Sequence, residues 1–188
     1  MWSLDVESTG LDLKSDFILS IGMVPIRGGV VKWGERYYSL IRPIDPADPR
    51  LGSEAVRAHH IVPRELETAP PLAEVLRAVL ARLGGDVLLV HHASVDVRFL
   101  KRDCAALELR WPRPAVVDTL RLLLKLGDRL RRIDPNPPTV PTSLARGRAF
   151  LGLPPHVVHH ALYDALATAE LFLALAERLE ARRLRQLT

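Results

Sequence analysis

The chain has 188 residues, 48% of them hydrophobic and 26% charged, so one globular domain over residues 1–188 with a sizeable core is expected. Its single cysteine, Cys104, excludes an intramolecular disulfide and points to a reducing, cytoplasmic setting; no basic-then-apolar leader and no apolar run of bilayer-spanning length is present, so no membrane partner is expected. The net charge of +4 and the pI near 9.6 are compatible with a polyanionic partner without requiring one.

The first strand ends in Asp5-Val6-Glu7-Ser8-Thr9-Gly10. Residues two apart on a strand share a face, so Asp5 and Glu7 project together while Leu4 and Val6 face the other way. Leu11–Ser15 reads as a polar loop. Phe17–Ile26 and Val30–Ile41 flank the turn Arg27-Gly28-Gly29 and form an antiparallel hairpin. Prolines and aspartates exclude regular structure from Arg42 to Arg50, and Ser53–His60 is expected as a short helix capped by Ser53. Pro70–Leu83 carries Leu72, Val75, Leu76, Val79, Leu80 and Leu83 at helical spacing, and Gly84-Gly85 ends it.

Val87–Val90 is a short apolar run that suits a strand covered on both faces. A helix over Val95–Leu107, with Ser94 as cap, follows it. Ala115–Val117 is a further strand, delivering Asp118-Thr119 into a helix through Lys125. The proline-rich stretch from Asp128 to Pro141 is expected to be irregular, Ser143–Leu151 helical, and the last helix to run from Ala161 to Arg185. Helical crossovers imply parallel pairing of the later strands. The predicted fold is α/β: a ribonuclease-H-like mixed central sheet with helices on both faces and the first strand in the middle.

Like charges as close as Asp5 and Glu7 resist ionisation unless a cation lies between them, and hard carboxylate oxygens suit Mg²⁺ or Mn²⁺. Taken alone, the pair reads as a solvated strand face. Asp96, in the first turn of its helix, has a plain reading as a complement to the helix dipole, and Asp118 reads as a helix cap. His159 and Asp164 are five residues apart, about 140° around an ideal helix, so both cannot face one site from regular helix. His159 is therefore expected on the loop before the helix, with Asp164 on its first turns. An imidazole titrates near neutrality and suits a general base; a solvated histidine pair is the plain alternative.

These stretches together resemble the three exonuclease motifs of the DEDDh 3′–5′ exonucleases, the family of the proofreading ε subunit of bacterial DNA polymerase III. Asp5 to Gly10 matches the Asp-x-Glu-(Thr/Ser)-Thr-Gly pattern, His91 to Leu100 is similar to the His-Asn-Ala-x-Phe-Asp stretch with Asp96 as its acid, and His159 to Asp164 has the His-x-x-x-x-Asp spacing. Ala58-His59-His60-Ile61 and Val117-Asp118-Thr119-Leu120 resemble intervening segments of the family. The DEDDy branch places a tyrosine four residues before the last acid; His160 stands there, so the histidine branch fits better. His92 replaces the usual asparagine, Val95 the usual phenylalanine and His60 the usual glycine.

The resemblance implies a metal-dependent exonuclease that removes nucleoside 5′-monophosphates from a free 3′ end, DNA being favoured. Asp5, Glu7, Asp96 and Asp164 would hold two divalent cations, Mg²⁺ or Mn²⁺, and His159 would act as base. Glu7, Thr9, His59 and His92 would meet the terminal nucleotide. A DNA polymerase partner and a homo-oligomer are both compatible with the chain. An RNA-directed enzyme of the oligoribonuclease or ribonuclease T type is the nearest rival, and an idle nucleic-acid- or polymerase-binding module the next.

Overall fold

Strand β1 (Trp2–Ser8) lies at the centre of the sheet in a computed structural model that describes residues 1–52 and 60–180. It pairs antiparallel with β2 (Ile18–Arg27) and parallel with β5 (Leu88–Val90), which in turn pairs parallel with β6 (Val116–Asp118). The short strands β3 (Val30–Val31) and β4 (Tyr37–Leu40) share the far edge of β2, opposite its two ends. The mixed sheet and the central first strand agree with expectation. The expected Val30–Ile41 strand is instead divided by a 3-10 turn at Trp33–Glu35, where Gly34 interrupts the strand-forming run.

The two faces of the sheet serve different cores. Trp2, Leu4 and Val6 pack with Val75, Leu76 and Val79 of α2 (Leu72–Leu83) and with Phe99, Leu100 and Cys104 of α3 (Ala93–Ala106). On the opposite face Val24, Leu89 and Val117 meet Leu122, Leu123 and Leu126 of α4 (Thr119–Ile133) and Leu171, Phe172 and Leu175 of α6 (Ala161–Arg178). Two shorter helices complete the described chain, α1 (Pro63–Glu67) and α5 (Leu144–Phe150). No described helix is long and apolar enough to cross a membrane.

Three boundaries differ from expectation. Helix α4 does not stop at Lys125 but runs to Ile133, because Leu126 and Leu130 extend the apolar stripe and the first helix-breaking proline is Pro135. Helix α3 starts at Ala93, so Ser94 is inside it and His92, at φ 70°, precedes it. Helix α1 was not anticipated; Pro63 occupies its first position, and Glu65 Oε2 accepts the Val62 N–H at 3.0 Å. The expected Ser53–His60 helix, but for His60, and the end of the last helix toward Arg185 lie outside the described residues.

Candidate active site

The site begins with the register of β1 against β2. Asp5 stands opposite Gly22, and helix α6 crosses the sheet at that point. A Cβ on Gly22 would lie 2.3 Å from the Ala161 carbonyl carbon and from the Leu162 nitrogen, so only glycine lets the start of α6 approach this closely. Ser3, on the same face as Asp5 and Glu7, donates its hydroxyl to the Ala165 carbonyl at 2.7 Å and fixes the helix along the strand. Asp164 is thereby lowered onto the acid face of β1. One oxygen from each of Asp5, Glu7 and Asp164 lies within 4.8 Å of the others.

Asp96 arrives from the other side. Strand β5 stops at Val90 while β1 continues to Ser8, leaving Val6 without a parallel partner there. Asp96 Oδ1 accepts the Val6 N–H at 3.2 Å, and the residue is almost fully buried. It stands beside the Asp5–Glu7–Asp164 triangle rather than within it, yet near enough to repel it.

That repulsion is written into the acids' protonation. Burial, then the charges of Asp96, Asp164 and Glu7, hold the Asp5 carboxyl well above the ordinary carboxylate range. Glu7 is pushed up to about 8, by burial first and then by Asp164 and Asp96. Asp96 is pushed up to about 7 by burial, with Asp118 and Asp164 adding to the rise and the hydrogen bonds from the Val6 and Asp96 N–H groups opposing it. Among the described residues no lysine or arginine forms an ion pair with these four acids; the Asp164 contact with His156 is their sole salt bridge. Three converging oxygens without a cationic partner are a donor set suited to a hard divalent cation.

The histidines divide their roles. His159 lies, as expected, on the loop before α6; it is exposed and has φ 60°. His160 caps the helix, its Nδ1 accepting the Leu162 N–H at 3.3 Å while its ring stacks on Tyr38 with centroids 4.7 Å apart. The backbone N–H of His160 also donates to Asp164 Oδ2 at 3.0 Å. The other oxygen, Asp164 Oδ1, is 2.9 Å from His156 Nε2. Sequence reasoning missed His156, since the segment around Pro154-Pro155 has no periodicity to place a side chain. The buried Arg148 holds that segment, donating to the Pro154 and Ala167 carbonyls at 3.0 and 2.8 Å and pairing with Glu170 at 2.8 Å.

The remaining candidates fall into place around this cluster. The Thr9 hydroxyl donates to Asp16 Oδ1 at 2.9 Å and accepts the Phe17 N–H at 3.2 Å, closing the loop after β1. Asp118 is a cap, as its sequence context indicated, and serves two helices: it accepts from Leu120 N–H at the start of α4 and from the His92 and Ala93 N–H groups at the start of α3. His92 is exposed beside Asp118, with the left-handed backbone that also occurs at His60. His91 bonds Thr119 Oγ1 through Nδ1 at 2.8 Å, and burial lowers its pKa. His59 lies outside the described residues.

The chain is similar to known proteins along most of its length. The sequence pattern of the exonuclease family RNase_T matches residues 3–172. The DNA polymerase III PolC-type protein of Thermotoga maritima is 34% identical over 181 residues, covering 94% of this chain and 12% of that protein. The DNA polymerase III subunit epsilon of Aquifex aeolicus is 25% identical over 176 residues, covering 94% of this chain and 80% of that one. The chain thus spans a small fraction of the PolC-type relatives and most of the epsilon subunit. The solved structure of Exonuclease X in complex with 5′ overhanging duplex DNA shares the fold, with a TM-score of 0.68 at 22% identity and coverage of 99% of this chain and 96% of that one. With the acid cluster and its histidines on the same scaffold, the chain belongs to the RNase_T exonuclease family, in the DEDDh branch of 3′–5′ exonucleases that includes the exonuclease domains of DNA polymerase III.

Proposed function

We propose that this chain removes nucleotides one at a time from the 3′ end of DNA, releasing nucleoside 5′-monophosphates. The carrying observation is the triangle of Asp5, Glu7 and Asp164 oxygens, within 4.8 Å of one another and without a lysine or arginine partner. Asp5, Glu7, Asp96 and Asp164 would hold two Mg²⁺ or Mn²⁺ ions, which when bound supply Lewis acidity to the attacking water and to the leaving oxygen. The chain's own residues do the rest. His159, exposed on its loop, accepts the water's proton as the water oxygen bonds to phosphorus and the P–O3′ bond breaks. The departing 3′ oxygen takes up a proton and becomes the new end of the strand.

His156 and the His160 N–H hold the two oxygens of Asp164 in a fixed orientation. Glu7 and Thr9, at the end of β1, and His59 and His92 are assigned to the terminal nucleotide. DNA is favoured because the relatives are DNA polymerase III components and Exonuclease X was solved with duplex DNA. Association with a DNA polymerase is a corollary of the same kinship. A reducing, cytoplasmic setting is part of the same reading, since the one cysteine, Cys104, is buried and free.

The test is degradation of 3′-labelled DNA and RNA oligonucleotides with Mg²⁺, with Mn²⁺ and with chelator. Metal-dependent release of labelled mononucleotide, faster from DNA, is expected. Undiminished release after Asp5→Ala and Asp164→Ala overturns the assignment, and faster release from RNA reverses the choice of substrate.

A further inference from the structure

The groove between α3 and α4, beside the free edge of β6, carries a charge pattern that the acid cluster does not use. It encloses about 550 Å³, within the range of ligand-binding clefts. Arg98 and Lys101 line it from α3, three residues apart and so on one helical face, and Arg121 and Lys125 line it from α4, four apart. All four are exposed. Val116 of β6 lies between the two rows.

Three of these cations have little to neutralise them among the described residues. Asp118 is the one carboxylate in the described lining, and it is engaged by the His92, Ala93 and Leu120 N–H groups. Arg98, Lys101 and Arg121 make no ion pair or side-chain hydrogen bond among the described residues. Arg27, Arg50, Arg102 and Arg129, by contrast, are each paired with a carboxylate, of Asp86, Asp48, Asp103 and Glu180. Like charges lining one groove repel, and an anion between them relieves that repulsion.

The position of the groove says which anion. Helices α3 and α4 both start at the end of the sheet where the acids gather, tied there by Asp118. His92 lies in the groove wall and precedes Asp96 by one helical turn. The lining contains no phenylalanine, tyrosine or tryptophan on which a base could stack. A track of point charges without a stacking surface recognises backbone phosphates and not base identity.

We infer that this groove binds the sugar–phosphate backbone of the substrate strand on the 5′ side of its terminal nucleotide, with Arg98, Lys101 and Arg121 contacting phosphates. The inference rests on the exonuclease reading for the direction of the strand. Its consequence is that affinity grows with strand length, is sequence-indifferent and falls with salt.

The test separates binding from hydrolysis. Anisotropy of a 5′-fluorescein single-stranded DNA of about twelve nucleotides, titrated with the full chain in chelator across a salt series, reads the groove without turnover. Arg98→Ala/Lys101→Ala and, on the other wall, Arg121→Ala are compared with Arg77→Ala on α2. Each groove variant is expected to weaken binding, the double variant about tenfold, and to reduce the logarithmic salt slope by about 0.7 per cation removed. The kcat/KM ratio of the longer strand to a dinucleotide, measured with Mn²⁺, is expected to fall with it. Affinity and salt slope matching those of Arg77→Ala overturn the proposal, as does failure of the unmodified chain to bind the strand. A chain that binds the strand through the groove but hydrolyses neither substrate overturns the exonuclease reading and leaves the phosphate track standing.

Discussion

His156 Nε2 lies 2.9 Å from Asp164 Oδ1, while His159, three residues nearer in sequence, is exposed and makes no hydrogen bond among the described residues. One histidine therefore orients an acid, and the other is the proposed base. Replacing His159 with Ala is expected to lower kcat by about 10²–10⁴-fold with Mn²⁺ affinity nearly unchanged. Replacing His156 with Ala is expected to weaken Mn²⁺ binding by about 10-fold or more, as loss of a residue supporting a metal ligand does. Calorimetric Mn²⁺ titration beside single-turnover rates checks both. If the two variants exchange these phenotypes, the division of roles is wrong.

The acids that make the site also strain the fold. Burial and mutual repulsion raise the carboxyls of Asp5 and Glu7, so neutral isosteres relieve the metal-free chain. Asp5→Asn and Glu7→Gln are expected to raise the unfolding temperature in chelator by a few degrees, corresponding to about 1 kcal/mol or less. Both should abolish the gain in unfolding temperature that Mn²⁺ gives the unmodified chain. Thermal unfolding with and without Mn²⁺ measures both effects.

The pH dependence has a definite sign. Glu7 rises from 4.5 to about 8 and Asp96 from 3.8 to about 7 on folding, so between those limits the folded chain holds more protons than the unfolded one. Stability in chelator is therefore greatest at the acid end of the window and falls as pH climbs toward 8. A divalent cation must displace those protons, so its apparent affinity increases across the same window. Unfolding midpoints in chelator at about pH 5.5 and about pH 8.5 should fall with pH, whereas the increment given by Mn²⁺ should grow. A midpoint in chelator that rises toward pH 8.5 contradicts this account.

Gly22→Ala tests the crossing that lowers Asp164 onto β1. The added carbon meets backbone atoms of Ala161 and Leu162 at 2.3 Å, which no rotamer change relieves. A loss of about 1–3 kcal/mol in urea unfolding is expected, with Mn²⁺ affinity falling because Asp164 is carried away from Asp5 and Glu7. Loss of stability alone would mean that α6 can shift without moving its acid.

Asp118→Ala should behave differently from any substitution of the four site acids. It removes the acceptor for three backbone N–H groups at the starts of α3 and α4. About 1–3 kcal/mol of stability is expected to go with it, while the Mn²⁺ affinity of the folded chain stays within about twofold.

What could be read from the sequence followed the regularity of each element. The alternation that puts Asp5 and Glu7 on one face needs only the two-residue strand period, and β1 bears it out. The position of His159 ahead of its helix followed from an angle that no helix can avoid. Boundaries were less legible: α4 outran its expected end because its leucine stripe continued past Lys125, a tertiary reward that local composition near the prolines obscured. His156 was invisible because it acts from an irregular segment held by Arg148, an arrangement set by contacts distant in sequence. Nothing in the strand around Gly22 signals the helix that lies on it.

The hydroxyl of Ser3 and the carbonyl of Ala165 that it grips are 162 positions apart in the chain. The acid set is therefore assembled from segments far apart in the chain: a nascent chain still lacking Asp164 has only part of it. Contacts of such long range also form slowly. The triangle of carboxylates therefore cannot close until the segment that carries Asp164 has been made and packed against β1.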